Sequence, residues 1–224
     1  MLCLVQARSS SKRFPKKILV KVGNKTIIER VISRVKKSKK ISKIIVTTSK
    51  NKTDDKLVKF LIKKKINFFR GSLTNVAKRC FQAARQNNSK FFIRISADSP
   101  FIDGKLIDKM IIKSKNEIKK LDLITNAFPR TFPKGQSIEI VNNSKLQSIL
   151  KVMNWSEKEN VTEYFYKNKK KFKIMNIVSK RDYSKIRMTI DYKKDLNLIK
   201  TLHKKFNDDV TYQELCNFIL KYKF

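Results

Sequence analysis

A polar loop near the start of the chain carries residue types that bind phosphate groups. The apolar run Leu2–Val5 is too short for a helix and predicts a buried strand that opens directly into residues 6–17. This loop contains three serines, two arginines and three lysines. Backbone N–H groups, hydroxyls and cations at the carboxyl end of a strand suit a polyphosphate ligand. The alternative is a solvated basic loop in a chain that is basic throughout.

Two carboxylates follow later apolar runs and are candidate metal ligands. Asp98 comes just after the run around Ile93, and Asp191 closes the run that begins at Arg187. Magnesium is typically held by one or two carboxylates together with phosphate oxygens and water, so both residues and the basic loop suit one metal–phosphate site. The alternative is that Asp98 serves as a turn or cap residue and Asp191 as a helix cap. Arg94 and Arg187 lie within apolar runs, where a charge needs a carboxylate or a substrate as its partner.

Other catalytic chemistries find little support. His203 is the single histidine and lies in a lysine-rich segment, so a Ser-His-Asp triad is not expected. The chain has no G-x-x-x-x-G-K-[ST] loop, which disfavours a P-loop kinase or ATPase. Cys3, Cys80 and Cys216 lack metal-ligand spacing, which favours free thiols in a reducing cytoplasm.

The elements that must position these groups alternate between strand and helix through the first half of the chain. Thr26 with Glu29 predicts a capping box before the first helix. Thr53 or Asp54 is expected to cap the second helix, and Asp54 and Asp55 are expected to interact with its dipole. Alternation of this kind predicts a parallel sheet with helices on both faces. The runs that predict its buried strands are residues 44–46, 68–69 and 91–93.

The pattern changes after about residue 121. Residues 138–140 alternate as an edge or hairpin strand would, and residues 187–191 predict a strand that ends in a carboxylate. Ser156 with Glu159 predicts a second capping box. This half of the chain is therefore expected to complete the sheet and close it with helices.

Composition bounds the class of protein. The chain has 224 residues, 41% of them hydrophobic, which suits one folded domain. Its net charge of +36 would attract polyanions, but the lysines are scattered over almost every segment, so we expect no specific nucleic-acid binding. The chain lacks an apolar run of membrane-spanning length, and its first residues lack the charge order of a signal peptide. We therefore expect a cytoplasmic protein.

Six short motifs follow one another along nearly the whole chain. They are Q-A-R-x-x-S-x-R-x-P-x-K at 6–17, I-I-V-T-T followed by D-D within 44–55, F-R-G-S at 69–72, R-I-x-x-D-x-P-x-I-D at 94–103, R-x-F-P-x-G at 130–135 and R-x-T-x-D at 187–191. The ordered series resembles the cytidylyltransferases of nucleotide-sugar biosynthesis, above all the spore-coat-polysaccharide-type branch. Acylneuraminate and 3-deoxy-manno-octulosonate cytidylyltransferases are more distant relatives.

The resemblance implies a nucleotide-diphospho-sugar transferase fold, a Rossmann-like three-layer α/β sandwich with a mixed, mostly parallel sheet. It implies transfer of CMP from CTP to a sugar or sugar acid, with release of pyrophosphate and with Mg²⁺ as cofactor, for surface polysaccharide biosynthesis. It also implies a homodimer and a single domain over residues 1–224, with residues 126–166 as a substrate-binding and dimerisation insert. By motif position the catalytic residues are Arg13, Lys17 and Asp98; the nucleotide-binding residues Gln6, Ala7, Arg8, Ser11, Arg70 and Arg94; the sugar-binding residues Arg130, Glu139 and Arg187; and the metal ligands Asp98 and Asp191.

The sequence departs from this family pattern at several positions. Ser10 and Lys16 stand where the family usually has glycine, Ser137 replaces the aspartate of G-x-D-x-E, and Asn160 replaces the histidine of E-H-V-T. Two other functions therefore stay open. One is a basic protein that holds nucleic acid with an affinity that falls steeply with salt. The other is a degenerate relative that binds nucleotide without turnover.

Overall fold

The computed structural model describes residues 1–11 and 13–222. Within these ranges the chain forms nine β-strands and nine α-helices. The strands are β1 (Leu2–Gln6), β2 (Lys21–Val22), β3 (Lys25–Thr26), β4 (Lys43–Ser49), β5 (Phe68–Gly71), β6 (Phe91–Ser96), β7 (Leu123–Thr125), β8 (Glu139–Asn142) and β9 (Ile174–Asn176). The helices are α1 (Ile27–Val35), α2 (Asp55–Lys63), α3 (Val76–Gln86), α4 (Gly104–Ser114), α5 (Asn143–Ile149), α6 (Trp155–Asn160), α7 (Glu163–Lys167), α8 (Asp195–Lys205) and α9 (Tyr212–Tyr222).

Seven strands form one mixed sheet in the order β5-β4-β1-β6-β8-β7-β9. The strands β5, β4, β1 and β6 run parallel, β8 is antiparallel to both β6 and β7, and β9 is parallel to β7. The first strand of the chain thus lies inside the sheet, and its loop leaves at the carboxyl edge beside those of β4 and β6. Ligands bind at this edge in open α/β sheets. The predicted mixed, mostly parallel sheet is confirmed.

Helices cover both faces of the sheet. Side chains of β1 alternate between the two faces, so each face presents apolar residues that helices bury. Cys3 and Val5 belong to the larger core, which also takes buried residues from α1, α2, α4, α8 and α9. Leu2 and Leu4 belong to a second core with α3, α5 and α7. The predicted three layers are therefore present, with the sheet in the middle.

Two helix starts show how local sequence sets the elements. Thr26 and Glu29 form the predicted capping box of α1, with the Thr26 N–H donating to Glu29 Oε2 at 2.8 Å. The second predicted box is wrong, because Asn154 and Glu157 cap α6 two residues earlier. This shift leaves Glu159 free to pair elsewhere. Among the described residues, no helix is long and apolar enough to cross a membrane.

Two strand predictions in the second half need correction. For residues 138–140 the edge alternative is wrong, because β8 lies inside the sheet and hydrogen-bonds to β6 and β7, whereas its antiparallel pairing with β7, the preceding strand, agrees with the hairpin alternative. Residues 187–191 are extended but do not form a strand. Their N–H groups bond to two separate loops, that of Met188 to the Lys134 carbonyl at 2.8 Å and that of Ile190 to the Asp98 carbonyl at 3.0 Å. The second of these bonds brings Asp191 beside the carboxyl end of β6.

Candidate active site

The loops after β1 and β6, together with the segment before α8, place a lysine and two aspartates together. β1 and β6 are neighbouring parallel strands, so both chains leave the sheet at the same edge. Lys17 Nζ lies 2.9 Å from Asp98 Oδ2 and 3.3 Å from Asp191 Oδ1, and it also donates to the carbonyl of Ile190. The two aspartates predicted as metal ligands therefore meet around the ammonium group of Lys17, a predicted catalytic residue.

Asp191 also accepts hydrogen bonds from two arginines. Arg13 Nη2 lies 2.8 Å from its Oδ1, and Arg187 Nη2 lies 2.8 Å from its Oδ2. Both guanidinium groups lie over the ring of Tyr192, at 5.2 and 5.8 Å from its centroid. Burial alone raises the pKa of Asp191, but the charge of Lys17 and the hydrogen bond from Arg13 outweigh it and lower that pKa below its usual value. The carboxylate is therefore ionised at neutral pH and fixes three cations at the mouth of the loop.

The buried side chain of Asp54 holds the serine-rich loop, residues 9–11, in place. This carboxylate is fully buried and accepts from the Ser9 N–H at 2.6 Å, and from the N–H and hydroxyl of Ser49 at the end of β4. Asp54 occupies the position before α2, as expected, but its side chain makes no helix-capping bond. The loop after β1 is therefore fixed to the end of β4 by a buried charge.

A second ion pair joins the same loop to α6. Arg8 Nη2 donates to Glu159 Oε1 at 2.6 Å. Two residues later Val161 is fully buried with φ of 51° and ψ of −56°, a positive φ that β-branched residues rarely adopt. The turn brings the Thr162 hydroxyl to Glu139 Oε1 at 2.6 Å. Strained residues of this kind are often found at functional sites.

Arg94 and Glu139 form an ion pair across the β6–β8 ladder. Arg94 Nε also donates to Gln6 Oε1 at 2.9 Å, and Glu139 accepts from the hydroxyls of Thr162 and Tyr166. Only 5% of the Glu139 side chain is exposed. Burial alone raises its pKa, but Arg94 and the two hydroxyls outweigh burial and lower the pKa below its usual value. The sheet therefore contains a mostly buried pair of opposite charges next to the site.

A pocket of about 180 Å³ opens between these groups at the carboxyl edge of the sheet. Its walls come from the ends of β1 and β6, the start of the loop and the segment before α8. The predicted residues that line it are Gln6, Ala7, Arg8, Ser11, Arg13, Lys17, Asp98 and Asp191.

Five predicted residues do not line this pocket. Arg70 pairs with Asp55 at 2.7 Å and faces a separate groove of about 910 Å³ between β5 and α3. Arg130 is half-buried and donates to the Ser137 hydroxyl at 3.0 Å. Arg94 and Glu139 are the buried pair described above. Arg187 reaches the site through Asp191.

The donor set fits a magnesium ion that arrives with phosphate oxygens. Asp98 and Asp191 both face the same ammonium, so their carboxylates converge on one position. Within residues 1–11 and 13–222, no group of three or more His, Cys, Asp or Glu side chains could hold a metal. Two carboxylates are the number that magnesium typically takes beside phosphates and water.

Several contributors were not predicted. Glu159 belongs to the E-x-V-T segment, where the sequence departs from its pattern, and Asp54 belongs to the D-D pair, so motif position held a signal for both. Tyr192, which supports the two arginines, lies directly after R-x-T-x-D and carried no signal of its own.

Comparison with known proteins agrees with this geometry. A family model described as Cytidylyltransferase matches residues 2–218. An uncharacterized protein of Methanocaldococcus jannaschii is 35% identical over 91% of this chain and 83% of its own, and the spore coat polysaccharide biosynthesis protein SpsF of Bacillus subtilis is 29% identical over 96% and 92%. The structure of a cytidylyltransferase from Leptospira borgpetersenii superposes with a TM-score of 0.93 at 32% identity, covering 99% of this chain and 94% of that one.

Proposed function

The chain belongs to the cytidylyltransferase family of CTP-dependent nucleotidyltransferases, and on that premise we propose that it transfers CMP from CTP to a hydroxyl of a sugar or sugar acid and releases pyrophosphate. The observation that carries this proposal is the meeting of Lys17, Asp98 and Asp191 beside the serine-rich loop. Each of the three comes from a different motif, and together they place cations and carboxylates where a triphosphate would enter.

In such a reaction the acceptor oxygen attacks the α-phosphorus of CTP, and the bond from that phosphorus to the oxygen of the leaving pyrophosphate breaks. The protein needs to align the groups and to neutralise charge on the phosphate oxygens. Ser11 and the backbone N–H groups of its loop would hold the phosphates, and Arg13 and Lys17 would neutralise charge on pyrophosphate. Magnesium, held by Asp98 and Asp191, would supply further stabilisation of the phosphate oxygens.

The acceptor would bind on the side of residues 126–166. Among the described residues, Arg130 forms no ion pair with a carboxylate and donates only to the Ser137 hydroxyl. Its half-buried guanidinium is available to the carboxylate of an acylneuraminate-like sugar acid. The rings of Phe128 and Tyr166 stack in the same segment with their centroids 4.7 Å apart, and the Tyr166 hydroxyl donates a hydrogen bond to Glu139. Such an acceptor would place the reaction in surface polysaccharide biosynthesis.

The same segment is proposed to form a homodimer interface. Val152, between α5 and α6, and Trp155, the first residue of α6, are 63% and 68% exposed and offer apolar surface that a second copy of the chain could cover. We also assign the reaction to the cytoplasm, since all three cysteines are free thiols, as a reducing compartment favours.

The proposal is tested by thermal denaturation with CTP, ATP, GTP and UTP, each with and without Mg²⁺, followed by pyrophosphate release over a panel of sugar acids. A ligand that binds only the folded state raises the melting temperature. We expect a rise that is selective for CTP and increased by Mg²⁺. Asp98→Asn should lose pyrophosphate release by at least about 100-fold, while Asp182→Asn, a change at an exposed loop, should not.

Other results would favour the competing functions. An equal, salt-sensitive rise with all four nucleotides would indicate general charge attraction and support nucleic-acid binding. A CTP-selective rise without pyrophosphate release on any acceptor would support a nucleotide-binding relative without turnover.

A further inference from the structure

The ammonium of Lys17 occupies the position where the two candidate metal ligands converge. An ammonium has three protons to donate. Here the three acceptors are Asp98 Oδ2, Asp191 Oδ1 and the Ile190 carbonyl. The group is therefore fully hydrogen-bonded and places one positive charge between the two carboxylates, while Arg13 and Arg187 contribute further positive charge at Asp191.

The backbone around Lys17 fixes this placement. The residue begins a short 3₁₀ helix, Lys17–Leu19, and the Lys16 N–H before it bonds to the Ser9 carbonyl at 2.9 Å. Only 11% of the Lys17 side chain is exposed. Lys16 is exposed and contacts neither aspartate. Neighbouring lysines of the same motif thus differ sharply in environment.

A divalent cation and this ammonium cannot occupy the same position. The cation and the Lys17 ammonium would lie within a few ångströms of each other, and like charges that close repel strongly in a partly buried site, where screening is weaker than in water. An incoming cation would also have to take the carboxylate oxygens that Lys17 now contacts. A triphosphate changes this balance, because it brings negative charge that attracts Lys17 and oxygen atoms that complete the coordination of the metal.

We propose that, in the protein without nucleotide, Lys17 occupies the cation position between Asp98 and Asp191 and excludes divalent metal until a triphosphate draws it away. The inference rests on the proposed function for the identity of the triphosphate. Its consequence is an order of binding, in which metal enters with the nucleotide and not before it. Lys17 then serves two partners in turn, the carboxylates first and the phosphates second.

The test measures Mn²⁺ binding by electron paramagnetic resonance in the absence of nucleotide. The proteins compared are the wild type, Lys17→Met, Lys17→Gln and Lys16→Met. Lys17→Met keeps an apolar side chain of similar length and removes the ammonium, so Mn²⁺ affinity should rise by at least about tenfold, the least expected from removing a like charge in a mostly buried site. Lys16→Met removes the same charge one residue away and should bind Mn²⁺ like the wild type.

The carboxylates provide the second control. Adding Asp98→Asn to Lys17→Met should return Mn²⁺ affinity to the wild-type level, because one of the two ligands is lost. A Lys17→Met protein that melts as a folded protein but binds Mn²⁺ no better than the wild type would overturn the inference. So would a gain that persists with Asp98→Asn, or one that Lys16→Met reproduces. Lys17→Gln serves the same test if the methionine variant does not fold.

These results separate this inference from the proposed function. If Lys17→Met gains Mn²⁺ affinity through Asp98 but the wild type releases no pyrophosphate from CTP, the cation exchange stands and the reaction assignment fails. If the wild type releases pyrophosphate but Lys17→Met gains no Mn²⁺ affinity, the reaction stands and the exchange fails.

Discussion

The ion pair between Arg94 and Glu139 gives a prediction that separates structural from substrate-binding roles. Motif position assigns Arg94 to the nucleotide and Glu139 to the sugar, yet the structure joins them to each other in the sheet. We expect Glu139→Leu and Arg94→Met each to destabilise the protein, because each leaves a mostly buried charge without its partner. The double variant, which removes both charges, should cost less than the sum.

The magnitude follows from burial. Side-chain exposure is 5% for Glu139 and 19% for Arg94, and breaking a buried pair by removing one partner costs about 3–5 kcal/mol. A protein of this length loses about 2–4 °C of melting temperature per kcal/mol, so each single variant should melt about 6–20 °C lower. The double variant still leaves the hydroxyls of Thr162 and Tyr166 without their acceptor, at about 1–3 kcal/mol each. Residues in contact show coupling energies of about 0.5–3 kcal/mol, and for this mostly buried pair we expect the upper half of that range, at least about 1.5 kcal/mol.

The assay is a double-mutant cycle of unfolding free energies by chemical denaturation, with the KM for CTP measured on each protein. Additive effects of the two changes, within about 0.5 kcal/mol, would refute the coupling. Wild-type stability together with a large rise in KM would show that the two residues act on substrate and not on each other. Arg85→Met, an arginine change on the exposed side of α3, provides the matched control.

Three further predictions concern the loop, the acceptor and pH. Asp54→Asn removes the charge that holds the Ser9 N–H, so it should destabilise the protein by about 1–3 kcal/mol and raise the KM for CTP; an unchanged KM would disconnect the carboxylate from the loop. Ser137→Asp gives Arg130 an anionic partner, so the KM for a sugar-acid acceptor should rise while that for CTP stays constant; equal effects on both would contradict the assignment. The pKa of Asp191 is lowered by folding, so its stabilisation is complete above the unfolded value of about 3.9 and is lost as pH falls through the lower folded value. The difference in unfolding free energy between the wild type and Asp191→Asn should therefore be constant near neutral pH and shrink below about pH 4; a difference that shrinks already near pH 6 would contradict the lowered pKa.

The sequence could predict the site residues that directly follow strands of the parallel sheet. Asp98 and Lys17 each follow a strand of the parallel region, and parallel strands bring their carboxyl ends to one edge, so their meeting follows from the pattern. Asp191 reaches the same place although residues 187–191 are not a strand. Motif order compensated for that error, because it identified the residue without needing its secondary structure.

Contacts between loops that are distant in the sequence could not be predicted from local sequence patterns. The capping box over Ser156 and Glu159 fitted the sequence as well as the true one, and a shift of two residues decides whether Glu159 caps a helix or reaches Arg8. Arg70 matches its motif, but its guanidinium pairs with Asp55 at the start of α2, a contact that the motif does not predict. Such choices depend on tertiary geometry that local periodicity does not record.

The separation of Lys17 from Asp191 has a consequence for the newly made chain. The two residues are 174 positions apart, so at about 5–20 residues per second the ribosome adds the second one roughly 9–35 s after the first. Arg13 waits still longer, because its carboxylate partner lies 178 positions away. During translation the loop after β1 therefore lacks its Asp191 partner for many seconds after Asp98 is in place, and the pocket is completed only when most of the chain has been synthesised.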